Sequence, residues 1–99
     1  MAFQIIWSET VYEDLRDIVR YIAADDPDAA ANLANRIILR IEKASTYPYS
    51  NRLVPEKGEE NIREAILNPY RIIYSVDEMR NTIHVLRIWH ASRGIPDIK

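Results

Sequence analysis

The chain has 99 residues, 13 of them basic and 15 acidic, so its formal net charge is −2 and a single domain spanning residues 1–99 is expected. Its hydrophobic fraction of 47% excludes a disordered chain, and the absence of cysteine excludes disulfides, a thiolate nucleophile and a Cys-based zinc site. The sequence has no apolar run near the ~20 residues of a membrane span and no signal-peptide features, so we expect a cytoplasmic protein.

Charge is distributed unevenly along the chain. Residues 1–28 carry a net charge of −5, whereas the other 71 residues carry +3. Ten of the 13 basic residues are Arg, which suits bidentate contacts with carboxylates or phosphates. An acidic chain lacks the strong positive field that unaided nucleic-acid binding requires, so any such partner would need a local basic patch.

The first element is predicted to be a strand and the second a helix. Phe3–Trp7 is aromatic and β-branched, which is typical of a strand. Apolar residues then recur at helical spacing, and this spacing predicts a helix from about Thr10 to Ala24. Thr10 and Glu13 have the spacing of a capping box at its start.

A second helix is predicted directly after the first. Asp26 can cap it, and Pro27 suits its first position. It should end near Tyr47, because Pro48 disfavours helix in the residue before it. Two amphipathic helices joined by so short a connection are expected to form an antiparallel hairpin.

The remainder of the chain is predicted to be a loop, three strands and an irregular tail. The polar segment Pro48–Asn61 reads as the loop, and the tail is His90–Lys99. The strands are Ile62–Leu67, Tyr70–Val76 and Thr82–Trp89. The predicted order is therefore β-α-α-β-β-β, an α+β fold.

Strand alternation predicts the two faces of the last hairpin. If Val76 pairs with Thr82, Arg71 lies opposite Arg87, on a face shared with Ile73, Ser75, Ile83, Val85 and Trp89. The other face carries Tyr70, Ile72, Tyr74, Val76, His84, Leu86 and Ile88. This second face is more apolar and should meet the helices, which leaves the arginine face open. A one-residue change of register would exchange the faces of one strand.

Three arginines occupy predicted strands, namely Arg63, Arg71 and Arg87. On one open face they would form an anion site for a phosphate or a partner carboxylate. The alternative is a solvated face on which cross-strand acids such as Glu64 neutralise them. The sequence leaves both interpretations open.

Other polar residues also have two interpretations. His90 and Arg93 follow the last strand, where His90 could transfer a proton or both could be ordinary surface residues. Glu56 lies in an acidic loop and could act as a general base or be merely solvated. His84 is expected to be packed. The sequence has no metal-ligand spacing, glycine-rich phosphate loop or Gly-x-Ser-x-Gly motif, so no cofactor or metal is predicted.

Six segments, in order, resemble the RelE/ParE toxin superfamily. They are DLRDIVRYIA (Asp14–Ala23), DPDAA (Asp26–Ala30), NRLVPE (Asn51–Glu56), IRE (Ile62–Glu64), YRIIY (Tyr70–Tyr74) and LRIWHASR (Leu86–Arg93). The resemblance implies a cytoplasmic toxin of a type II toxin–antitoxin (plasmid stabilisation) module. It also implies a mainly antiparallel sheet with a helical hairpin packed on one face. A cognate antitoxin is the implied partner, lying along the helices and near the open sheet face, where it would neutralise some arginines.

The superfamily has two branches with different targets. RelE-like members cleave mRNA on the ribosome without a metal, whereas ParE-like members bind DNA gyrase and trap it. By resemblance, Arg71 matches a phosphate-contacting arginine of the cleaving branch, and Arg63 matches a second arginine on the preceding strand. His90 approximately matches a histidine near the chain end that can serve in proton transfer, and Glu56 loosely matches the acidic base that some cleaving members use. Arg71, Arg63 and His90 would be catalytic only in a nuclease.

The resemblance favours the ParE-like branch. Ala91 stands where some nucleases place a catalytic Tyr, and a ribosome-binding nuclease is usually basic. The expected function is therefore gyrase binding, with Arg87, Trp89, Arg93 and Glu56 as binding residues. The alternatives are a RelE-like endoribonuclease acting on ribosome and mRNA, and an inactive orphan module of the same fold.

Overall fold

Two helices pack on one face of a five-stranded sheet in the computed structural model, which describes residues 2–98. In chain order the elements are β1 (Gln4–Trp7), α1 (Glu9–Ala23), α2 (Pro27–Thr46), β2 (Arg52–Leu53), β3 (Ile62–Leu67), β4 (Tyr70–Asp77) and β5 (Thr82–His90). The sheet order is β1-β5-β4-β3-β2, and the β1–β5 pair is parallel while the other pairs are antiparallel. The predicted fold is confirmed.

The helix starts are set by side-chain caps. Ser8 is extended after β1, and its hydroxyl accepts the Val11 N–H at 3.1 Å, so α1 begins at Glu9. The predicted capping box of Thr10 and Glu13 is therefore wrong, because Thr10 already lies inside the first turn. The prediction for the second helix is confirmed, since the Asp26 carboxylate accepts the Ala29 N–H at 3.1 Å.

The main core lies between the helical hairpin and the sheet. Val11, Ile37 and Ile41 of the helices are at most 2% exposed. They pack in one cluster with sheet residues that include Ile72 and Ile88. No helix within residues 2–98 combines the length and hydrophobicity needed to cross a membrane.

The register of the β4–β5 hairpin differs from the predicted one. Asp77, rather than Val76, pairs with Thr82. A bulge at Leu86 then shifts the register again, so that Arg71 lies opposite Trp89 instead of Arg87. A bulge places two residues of one strand against one residue of its partner, and alternation alone cannot predict it.

This register exchanges the faces of half of β5. Ile83 and Val85 pack with the helix-side clusters, not on the arginine face as predicted. His84 lies opposite Ser75 on the other face, where Leu86 packs as well, so both are misplaced in the prediction. Beyond the bulge the predicted faces are correct, and Ile88 meets the helices.

The face predicted to be open is covered in part. The segment predicted to be entirely loop contains β2, which pairs with β3. Val54, which follows β2, is fully buried against Ile73 and Trp89 on this face. Ile98 of the tail packs on the same cluster. The arginine face thus carries a small additional core, because its apolar side chains must also be shielded from water.

Candidate functional site

The three strand arginines do not share one face. Arg63 pairs with Tyr74, so its side chain lies on the helix side of the sheet. Arg71 and Arg87 lie on the opposite side, on neighbouring strands. A joint anion site built from all three is therefore absent. Each guanidinium instead has its own partners within the chain.

Arg71 is the centre of a cluster of two acids and two arginines. Its Nε donates to Glu64 Oε1 at 2.6 Å, while its terminal nitrogens contact both oxygens of Glu56 at 3.0 and 2.7 Å. The Glu64 side chain is 0% exposed, and its second oxygen accepts a hydrogen bond from Arg52 Nε. The hydrogen bonds that Arg71 donates to Glu56 and Glu64 raise its pKa above the ordinary value. All three donor nitrogens of Arg71 are thus engaged.

The ion pair between Glu56 and Arg71 predicts how the stability of the fold depends on pH. The Arg71 hydrogen bonds hold the pKa of Glu56 below its ordinary value. The pKa of Glu56 is therefore lower in the folded state than in the unfolded state. The stabilisation that the Glu56–Arg71 pair contributes is complete above about pH 4.3 and is lost as pH falls through the lowered pKa. Thermal midpoints should show Glu56→Gln melting below the wild type at about pH 7, with the two curves converging below about pH 4. A gap that stays constant down to about pH 2.5 would contradict the assignment.

Arg63 holds a loop rather than presenting a free charge. Its guanidinium donates to the carbonyl oxygens of Glu60, Tyr49 and Asn51 at 2.8, 3.3 and 3.0 Å. It also lies over the Tyr49 ring, 5.0 Å from the centroid. These contacts join the segment after α2 to the start of β3, so the role visible for Arg63 is structural.

Arg87 links the sheet to α1. Its Nε and Nη2 donate to the two oxygens of Asp14 at 2.8 and 2.9 Å, and Asp14 Oδ2 also accepts the Ile88 N–H at 3.0 Å. β1 ends opposite Val85, so the part of β5 beyond Val85 has no strand partner on that side. Asp14 accepts the Ile88 N–H that a strand partner would otherwise engage. The hydrogen bonds that Arg87 donates to Asp14 raise the pKa of Arg87.

His90, Trp89 and Arg93 meet at the end of β5. His90 Nδ1 accepts the Ser92 N–H at 3.1 Å, and the His90 ring packs nearly perpendicular to the Tyr70 ring. Trp89 is 5% exposed and donates to the Gly94 carbonyl at 3.2 Å. The guanidinium of Arg93 lies over the Trp89 ring at 4.2 Å from its centroid. The Trp89 ring therefore packs against the Arg93 guanidinium and is itself largely buried.

A groove of about 370 Å³ opens between α1 and this end of β5. Its lining includes Ile18, Tyr21, Ile22, Tyr70, His90 and Arg93. We call it the α1 groove. The Tyr21 side chain is 83% exposed, and within residues 2–98 Arg93 has no carboxylate partner. The groove thus combines aromatic and aliphatic surface with an exposed cation, a composition typical of protein contact surfaces.

The structure brings together only part of the predicted site. His90 and Arg93 line the α1 groove, whereas Trp89 packs under Arg93 on the sheet face that also carries the ion pair of Arg71 with Glu56. Within residues 2–98, no cluster of three or more His, Asp or Glu side chains could hold a metal ion. Sequence reasoning missed Asp14 and Tyr21 as site residues. Tyr21 carried a usable signal, because it follows Ile18 at helical spacing.

The fold matches solved structures of toxins. A chain of the chromosomal ParDE toxin–antitoxin system from P. aeruginosa superposes with a TM-score of 0.72 at 18% identity, covering 90% of this chain and 96% of that one. A chain of the RelBE2 toxin–antitoxin complex from Mycobacterium tuberculosis gives 0.64 at 18% identity, over 91% and 99%. A mutant of E. coli toxin RelE in the free state gives 0.63 at 16%, over 95% and 88%. The architecture is therefore that of the RelE/ParE toxins.

Sequence comparison identifies the family within that class. The family model described as the ParE toxin of the type II toxin–antitoxin system, parDE, matches residues 5–95. A Sinorhizobium fredii (strain NBRC 101917 / NGR234) protein named "Putative toxin Y4kP" is 32% identical over 95 residues, covering 96% of this chain and 95% of that protein. The chain belongs to the ParE toxin family of type II toxin–antitoxin systems. The predicted resemblance is confirmed.

Proposed function

We propose that this toxin stops growth by binding DNA gyrase, and that it does not cleave RNA. The observation that carries the proposal is the state of Arg71, the residue that a nuclease of this fold would be expected to aim at a phosphate. Its three donor nitrogens are held by Glu56 and Glu64. A phosphate would have to displace the bidentate Glu56 carboxylate and would then lie beside the buried carboxylate of Glu64, whose negative charge would repel it.

The other cations of the predicted nuclease site support the same conclusion. Arg63 is engaged by backbone carbonyl oxygens on the helix side, away from Arg71. The chain as a whole is acidic, with a net charge of −2. Approach to the phosphates of a ribosome is favoured by positive charge, so this chain gains little from electrostatic steering. A protein target fits these features better than an RNA target.

The α1 groove is the surface that we assign to gyrase. Arg and Tyr are enriched among the residues that dominate protein–protein binding energy, and the groove offers Arg93 and Tyr21 on a rigid support. His90 lines the same groove. On this proposal, residues 1–99 act as one domain in the cytoplasm, with gyrase as target and the antitoxin as regulator.

Purified chain and purified gyrase test the proposal directly. Supercoiling of relaxed plasmid should fall as the chain is added, with accumulation of gyrase-cleaved DNA. Full supercoiling at a large molar excess of folded chain would overturn it. Cleavage of mRNA only when ribosomes are present would establish the RelE-like alternative, and inactivity in both assays would establish an inactive module.

Arg93→Ala should weaken gyrase inhibition by about tenfold, since an exposed arginine on an aromatic platform is a typical dominant contact. The measurement is the chain concentration that halves supercoiling. Arg80→Ala is the matched control, because Arg80 is also an exposed arginine but lies in the β4–β5 turn, paired with Asp77. Equal effects of the two substitutions would remove the α1 groove from the proposal.

The nuclease alternative has one supporting feature, which is that His90 and Arg93 both line the α1 groove. A proton donor next to a free guanidinium could act on a phosphodiester. In that case His90→Ala would abolish ribosome-dependent mRNA cleavage. Under the gyrase proposal there is no such cleavage in the wild type, so the two interpretations separate before any mutation is made.

A further inference from the structure

The short turn after β5 places a serine hydroxyl against a histidine ring nitrogen. The turn is Ala91–Arg93, and Ser92 at its centre is exposed. Ser92 Oγ lies 2.7 Å from Nδ1 of His90, which is hydrogen-bond distance. A hydroxyl and a basic nitrogen at this separation have the geometry of a nucleophile and its general base.

The direction of this hydrogen bond follows from a second contact at the same nitrogen. The backbone N–H of Ser92 also lies 3.1 Å from Nδ1, and an N–H can only donate. Nδ1 therefore carries a lone pair, and the proton of the neutral ring is on Nε2. The Ser92 hydroxyl then donates to Nδ1 as well, so the lone pairs of its oxygen stay free to attack an electrophile.

The His90 ring is held in place for this contact. It packs nearly perpendicular to the Tyr70 ring, with 5.3 Å between the two centroids, and the backbone of His90 pairs with Tyr70 of β4. A nucleophile and its base are typically accompanied by a third group that orients the base. Tyr70 has this role here, through packing.

A cation without an acidic partner follows Ser92 in the same turn. The Arg93 guanidinium is stacked 4.2 Å from the centroid of the Trp89 ring, and within residues 2–98 it forms no ion pair. Guanidinium groups stabilise the negative charge that develops on phosphoryl oxygens, and they also hold the phosphate product. Residues 90–93 thus combine a base, a nucleophile and an anion-stabilising group.

Ser50 shows what is particular to Ser92. It is also an exposed serine in a single helical turn, but its hydroxyl donates to the Tyr47 carbonyl oxygen at 2.8 Å. A carbonyl oxygen does not take up a proton at neutral pH, so Ser50 has no base. In the part of the chain that the structure describes, no other Ser or Thr hydroxyl is hydrogen-bonded to a histidine.

We infer that Ser92 is a site of covalent modification by electrophilic phosphorus, with His90 as its base and Arg93 as the group that stabilises the phosphoryl oxygens. In the reaction, a bond forms between Ser92 Oγ and phosphorus while the bond from phosphorus to the leaving group breaks. The leaving group departs with the electron pair, and the hydroxyl proton passes to His90 Nδ1. The donor class is a phosphoric anhydride, and a fluorophosphonate, which releases fluoride, is a probe for the same nucleophile.

Modification of Ser92 would also change the α1 groove. His90 and Arg93 line this groove, together with the acids Asp14 and Asp17. A phosphoryl group adds a charge of about −1.5 to −2 at pH 7, and it would pair with Arg93 in place of an acid of a binding partner. The reactivity of Ser92 is independent of gyrase, whereas this effect on inhibition rests on the proposed function.

The test is to incubate the purified chain with a fluorophosphonate and to follow the intact mass over time, with peptide mapping to locate the label. The label should fall on Ser92, and Ser92→Ala should abolish it. Ser50→Ala is the matched control and should be labelled at the wild-type rate. His90→Asn keeps an acceptor near the position of Nδ1 but not a base, so it should slow labelling by about 100-fold. Arg93→Ala should slow it by about tenfold.

The outcomes that would contradict the inference are equally specific. If Ser92 is labelled no faster than Ser50, or if His90→Asn is labelled at the wild-type rate, the contact only closes the turn and the inference is wrong. A label on Tyr21 instead of Ser92 would overturn it as well. Thermal midpoints close to that of the wild type establish that the variants are folded.

A charge substitution tests the effect on the α1 groove separately. Ser92→Glu should raise the chain concentration that halves supercoiling by about tenfold, whereas Ser50→Glu should change it by less than about threefold. Equal effects would contradict a regulatory role for Ser92. Because labelling is measured on the chain alone, the modification site and the gyrase proposal can fail independently.

Discussion

Replacing Glu64 with alanine should lower the free energy of unfolding by about 3 kcal/mol, because it leaves part of a buried ion-pair cluster without its acid. The Glu64 side chain is 0% exposed and contacts both Arg52 and Arg71. Arg71 is 11% exposed and would keep only Glu56 as a partner. For a chain of this size the melting temperature should fall by about 15 °C, which chemical and thermal denaturation would both record.

Glu56→Ala is the matched control for this prediction. It removes the other carboxylate from the same Arg71, but the Glu56 side chain is 29% exposed, so solvent screens the pair. The cost should be under about 1 kcal/mol. If Glu56→Ala proved as destabilising as Glu64→Ala, burial would not be what distinguishes the two acids.

Asp14→Ala is expected to have the second largest effect, a loss of about 2–3 kcal/mol. Asp14 is 11% exposed, and Arg87, its partner across 73 residues, is 14% exposed. The substitution would leave Arg87 without its carboxylate partner and the Ile88 N–H without its side-chain acceptor. Because Asp14 connects α1 to the uncovered edge of β5, hydrogen exchange at Ile88 should also accelerate.

Asp17→Ala provides the comparison on the same helix. Asp17 is three residues along α1, 70% exposed, and its contact with Arg16 spans 3.5 Å. Its removal should change the free energy of unfolding by less than about 0.5 kcal/mol. Comparable losses for Asp14→Ala and Asp17→Ala would mean that the link to Arg87 contributes nothing to stability.

Local signals in the sequence were sufficient to predict both helices and four of the five strands. Asp26 and Pro27 mark the start of α2 with a cap and a fixed φ, and Pro48 sets its end. Alternating apolar residues in β4 predicted the helix-facing side correctly, including Ile72 and Tyr74. Helix caps, the fixed φ of proline and strand alternation each depend on residues only a few positions apart, so the local sequence is enough to predict them.

The sequence did not contain enough to predict how the strands align. Because Asp77 pairs with Thr82, the side chains of β5 before the bulge face the side opposite to the predicted one. The bulge at Leu86 shifts the register again, so the side chains after it face the predicted side. The short strand β2 was missed because two residues carry no detectable alternation. Register is fixed by the fit of whole faces, which involves every strand at once.

The sequence also could not predict which acidic residue pairs with which arginine. Glu64 was recognised only as one possible neutralising acid, and its burial between Arg52 and Arg71 depends on three strands coming together. Asp14 and Arg87 are 73 residues apart, and no local pattern joins them. The candidate residues could therefore be named, but which of them remain free for a partner could be decided only from the fold.

The most direct test of the proposed target is the order in which DNA and protein synthesis stop. Cells expressing the chain without antitoxin would be pulse-labelled with thymidine and methionine in parallel. Gyrase binding predicts that thymidine incorporation falls first, while methionine incorporation continues. If methionine incorporation falls first, the chain acts on translation and the gyrase proposal is wrong.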